Sequence, residues 1–151
     1  MVLGAELASP YTVSLGELPL PPSGATKAKE YVAFQPSFIG KVTAAMNITS
    51  LAVPACGRAD YQYWVLAPVI QDKMVFLGEM GKVVSLSETR FKSIAYTADA
   101  VTVKMAGSPG EMVTVAVTIG SKSMEGLQYF ACMIPSSGTI TLSLPSGTCT
   151  P

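Results

Sequence analysis

The chain has 151 residues, of which 49% are hydrophobic and only 13% charged, with 10 Lys plus Arg against 10 Asp plus Glu and no His. A chain of this length buries a real core as one domain, and its apolar content excludes intrinsic disorder. Zero net charge argues against nucleic acid as a main partner, because phosphate neutralisation needs a basic surface, and it leaves the chain poorly protected against self-association.

Residues 1–29 are punctuated by turn formers, as in "LPLPPSGATKAK". Pro-Pro-Ser-Gly cannot sit inside a helix or a central strand. The stretch therefore reads as an N-terminal arm or linker, either a tether or an edge segment lying across a sheet. The start, "MVLGAELASPY", has no basic n-region and carries Glu6 early, unlike a signal peptide. That slightly favours a cytoplasmic chain, and it also suits a fragment. No apolar run reaches the ~18–20 residues of a membrane helix.

From residue 30 to 151 the pattern is one of short strands. "EYVAF", "GKVTAAM" and "ITSLAVPA" come first, with a turn expected at Met46-Asn47. "YQYWVLAPV" is longer and more apolar. "KMVFLGEMGKVVSLS" reads as two strands broken by Gly78 and Gly81. "RFKSIAYTADAVTVKMAG" is a hairpin turning at Asp99. In it Val101, Val103 and Met105 alternate with Thr102 and Lys104, the mark of a half-buried strand. "SPGE" is a turn. "EMVTVAVTIG", "GLQYFACMIP" and "TITLSLP" complete the series. Turn signals recur about every ten residues and no segment has a 3.6 period. The expectation is an all-β chain: residues 30–151 as a single antiparallel β-sandwich domain of roughly eight to ten short strands, with a Pro-rich N-terminal arm.

Little in the sequence carries chemistry. Without His there is no Ser-His-Asp or Cys-His catalysis and no His-based metal site. Cys56, Cys132 and Cys149 are too few and too scattered for a zinc site or a disulfide framework. They read as free, mostly buried thiols, with Cys132 and Cys149 as the pair that would form in an oxidising compartment. Asn47-Ile48-Thr49 is a glycosylation triplet. No phosphate-binding loop is present, and no cofactor or metal is expected. A glycosidase needs only two carboxylates. Asp60, Asp72, Glu79, Asp99 and Glu111 all lie beside turns or at strand ends, where solvated acids normally sit. Glu79 stands out, because "LGEMGK" brackets it with glycines and brings Lys82 near; a surface ion pair accounts for it.

The candidate carbohydrate-binding residues are Tyr61, Tyr63 and Trp64. In a strand, Tyr61, Tyr63 and Val65 face one way while Gln62, Trp64 and Leu66 face the other. Both faces are apolar or amphipathic, which favours a central strand covered on both sides over an exposed stacking platform. Tyr61, nearest the loop "CGRAD", is the ring to expect in solvent. A binding module would draw its platform from these residues with Tyr96 and Tyr129.

Several segments in order resemble the C-terminal β-domain of family-36 glycoside hydrolases, in the raffinose synthase and alkaline α-galactosidase group. "ASPYTVSLGELPL" is similar to the segment leaving the catalytic barrel. "EYVAF" is similar to the strand opening the sandwich. "ITSLAVPACGRADYQYWVLAPV", "VFLGEMGKVVSLSETRF" and "VTVKMAGSPGEMVTVAV" resemble the later strands. The likeness covers most of 8–145. In that family the nucleophile and the acid/base are two Asp on a (β/α)₈ barrel, which this chain lacks, so no catalytic residue carries over. The resemblance implies a non-catalytic accessory domain packing on a catalytic domain or other protein surface, with oligosaccharide as a further ligand; the lack of a long apolar run separately argues against a membrane partner. Two other readings remain open: a stand-alone carbohydrate-binding module, and a shell-type structural subunit that self-associates.

Overall fold

The computed structural model describes residues 2–4, 6–14, 31–36, 42–48, 50–70, 74–97, 100–120 and 124–151. These form strands β1 (Val2–Gly4), β2 (Tyr11–Ser14), β3 (Tyr31–Pro36), β4 (Val42–Ile48), β5 (Ser50–Val53), β6 (Gln62–Ile70) and β7 (Met74–Glu79). β8 (Phe91–Tyr96), β9 (Val101–Ala106), β10 (Met112–Ile119), β11 (Leu127–Met133), β12 (Thr139–Leu144) and β13 (Thr148–Thr150) follow. Every strand pair is antiparallel. The chain is all-β and sandwich-like, with more strands than expected because short ones are added near both ends.

One sheet runs β11-β10-β7-β6-β3-β4, with β1 pairing β6. A second runs β13-β12-β9-β8, and β2 with β5 makes a third, two-stranded ribbon. The alternation in β9, β10 and β12 decides how the first two meet. Val101, Val103, Met105, Ile140, Leu142 and Leu144 of the four-stranded sheet face Phe76, Val113, Val115, Val117 and Cys132 of the larger one. Phe76 and Phe91 meet edge to face, 5.3 Å apart. Each fully buried Leu in this layer contributes roughly 2 kcal/mol.

The larger sheet is apolar on its other face too. Val32, Phe34, Val65, Ala67, Val69, Val75, Leu77 and Ala116 form a second core with Met80. The sheet curls around it, bringing β4 against the 3-10 turn at Met124–Gly126 that precedes β11. A third, smaller core joins Trp64 and Ala33 to Leu51 and Val53 of the ribbon. Thus β6 sends Val65, Ala67 and Val69 into one core and Trp64 into another.

The structure corrects three local expectations. Met46 and Asn47 lie inside β4, paired with Ala33 and Val32, rather than in a turn. Gly78 does not break "KMVFLGE", because its positive φ of 91° is taken up by a bulge within β7. After Gly81, "KVVSLS" forms turns instead of a second strand, and Val83 and Val84 are exposed. In the stretch read as an arm, β1 adds to β6 and β2 to β5, and Leu7 bridges Cys56. Its Pro-rich part lies outside the described residues.

The cysteines differ as well. Cys132 and Cys149 form a disulfide, while Cys56 is free and buried. Alternation explains the pair. Cys132 lies opposite Val113 and Cys149 opposite Leu142, both core-facing positions, so the two sulfurs meet where the outer strands of facing sheets converge. The bond closes the seam over a separation of 17 residues. Replacing the pair, as Cys132→Ala/Cys149→Ser, is expected to lower stability by about 3 kcal/mol in chemical denaturation.

Candidate functional site

At one end of the sandwich, the β7–β8 and β9–β10 loops enclose an open cleft of about 500 Å³. Its floor is built by the bulge in β7. Strict alternation from Phe76 would send residue 79 to the same face as Leu77. The irregularity opposite Ala116 and Val117 shifts the register by one, and Glu79 instead lies opposite Val115, on the side of the first core. Bulges re-aim side chains in this way. Two hydrogen bonds fix the turn that follows: the Glu79 N–H donates to the Ser85 carbonyl at 2.7 Å, and the Met80 N–H to the Thr114 carbonyl at 2.8 Å.

Arg90, just before β8, fills the space between two acids. Its Nε donates to Glu79 Oε2 at 2.8 Å and its Nη2 to Glu79 Oε1 at 3.2 Å. Nη1 donates to the Ala106 carbonyl at 2.6 Å and to Glu111 Oε2 at 3.1 Å, and Nη2 also donates to Glu111 Oε1. The side chains of Arg90 and Glu79 are 12% and 8% exposed. Gly107 makes the arrangement possible, since a Cβ there would lie 2.3 Å from Arg90 Nη1. The Ser108 N–H adds a bond to Glu111 Oε2 at 3.0 Å.

The hydrogen bond from Arg90, then that from Ser108, lowers the Glu111 carboxyl to about 2. The Arg90 guanidinium is held more firmly protonated, chiefly by its bond to Glu111. Because the folded value is depressed, the stability Glu111 contributes is full above its ordinary value of 4.5 and is lost as pH falls through about 2. Thermal melts should therefore show a decline over that acid window, and Glu111→Gln should flatten it.

The sequence-derived carbohydrate-binding candidates lie along and beside β6. Tyr61 is exposed beside the 3-10 turn at Arg58–Asp60. Tyr63 is half-buried and donates its phenol O–H to the Val83 carbonyl, and desolvation raises its pKa. Trp64 is 6% exposed in the third core, on the opposite face of β6, and its Nε1 has no hydrogen-bond partner. Tyr129 is exposed on β11. Asp60 is exposed in the 3-10 turn; Asp72, Asp99 and the Tyr96 side chain lie outside the described residues. Glu79 pairs, but with half-buried Arg90 rather than in a surface pair with Lys82. Trp64 should accordingly emit at short wavelength and resist acrylamide, with no change on adding sugars.

Arg90 was not among the sequence candidates. The available signal was positional: Glu79 ends β7, while Arg90 and Glu111 immediately precede β8 and β10, which places all three at one end of an antiparallel sandwich. Among the described residues, no group of three Cys, Asp or Glu side chains is placed to hold a metal ion. Glu111 shares Arg90 with Glu79 and stays ionised far below neutrality, so Glu111 is suited to holding the loops and not to delivering a proton.

No family model, curated protein or solved structure matches this chain.

Proposed function

We propose that the chain is a non-catalytic accessory β-domain of a carbohydrate-active enzyme, packing on a catalytic domain. The carbohydrate context comes from the resemblance of the quoted segments to family-36 glycoside hydrolases. The observation that carries the packing role is an apolar stripe on β10–β11, on the face turned away from the first core and beside the second. Met112 and Met133 are cross-strand neighbours, 53% and 58% exposed, and Tyr129 continues the stripe. Long apolar side chains exposed side by side mark an interaction surface more than scattered ones do. The Arg90-bound acids support a non-catalytic reading.

The test is to mix the chain with a family-36 barrel lacking its own C-terminal domain and to follow the barrel's melting temperature. A rise that Met133→Glu abolishes supports the proposal. No rise, with large closed particles in light scattering, would replace it with the shell-subunit reading.

A further inference from the structure

We propose that the cleft over the Glu79–Arg90–Glu111 network binds a neutral, hydroxyl-rich ligand of about monosaccharide size. The donors and acceptors of the cleft point to this guest independently of the packing role. Arg90 commits every N–H to Glu79, Glu111 and the Ala106 carbonyl. An incoming anion therefore finds no free guanidinium donor, and two carboxylates repel it. An incoming cation meets Arg90 already between those carboxylates, with Lys82 on the rim. The four charges cancel, which favours a neutral guest.

What the floor still offers is acceptors. A carboxylate oxygen accepts about two hydrogen bonds, and both Glu79 oxygens and Glu111 Oε1 take one each from Arg90. Glu111 is the more reachable, its side chain 29% exposed. Ligand hydroxyls would donate there in charge-assisted bonds. Hydroxyls also accept, and the rim holds donors: the Lys82 ammonium, with Ser87 and Thr89, whose oxygens lie 2.6 Å apart. Val83 and Val84 form an apolar wall for the C–H side of such a ligand. The volume, about 500 Å³, lies within the ordinary range of small-molecule sites.

The experiment is an amide NMR titration of the full chain with galactose, glucose and inositol, with sodium phosphate and calcium chloride as charged probes. The expected result is saturable shifts at Ser87, Thr89, Ser108 and Glu111 from a neutral polyol, with millimolar affinity. Thr89→Val lies outside the ion network. It should weaken binding about fivefold, as loss of one hydrogen bond does, without moving the melting temperature. The inference is overturned if no polyol gives saturable shifts in this region, if only phosphate or calcium does, or if the affinity ignores both Thr89→Val and Glu111→Gln.

Discussion

Arg90→Met lowers stability by about 4 kcal/mol. The substitution keeps most of the apolar stem and removes the only cation paired with Glu79 among the described residues, whose side chain is 8% exposed. Removing one partner of a buried pair leaves an uncompensated charge, and such changes cost about 3–5 kcal/mol. The Ala106 carbonyl loses a donor as well. The mechanism separates from mere loss of packing in a double mutant. Arg90→Met/Glu79→Leu removes the stranded charge and should recover much of the loss, because apolar replacement of a buried pair is often near neutral. Urea denaturation of the three chains measures both effects. Equal loss in the single and double variants would mean that charge is not the cause.

Gly78→Ala has a comparable effect through the backbone. The residue has φ of 91°, and a Cβ there would lie 2.2 Å from the Ser85 carbonyl oxygen. That oxygen accepts the Glu79 N–H, so relieving the clash breaks the bond that fixes the turn. Left-handed strain of about 1–3 kcal/mol and overpacking of similar size add to about 4 kcal/mol. The bulge also aims Glu79, so the variant should lose part of the Arg90 interaction. A Gly78→Ala chain with wild-type stability would exclude the bulge as the device that places Glu79.

The fold was legible where burial follows one period. Val101, Val103 and Met105, and Ile140, Leu142 and Leu144, are buried in alternation as the sequence suggests. Legibility failed where the period is broken or the partner is remote. Gly78 looks like a strand breaker because a bulge and a turn use the same residue. β1 and β2 are too short to show a pattern, and their pairing is set by partners about 60 and 40 residues away. The disulfide was hidden because Cys132 and Cys149 read as ordinary inward positions on separate strands. Arg90 was hidden because nothing local distinguishes it from a solvated arginine. Its role comes from three strand ends meeting.

Every side chain of β7 from Met74 to Glu79 is buried. The strand thus belongs to two cores at once, Phe76 to one and Leu77 to the other. It cannot be uncovered by a local opening that spares either. Among the described residues, the β2–β5 ribbon packs only on the smallest core. Amide exchange should divide the chain accordingly, the ribbon opening by itself and β7 only when the whole molecule unfolds. The central strand thereby makes two otherwise separate hydrophobic layers into one cooperative unit.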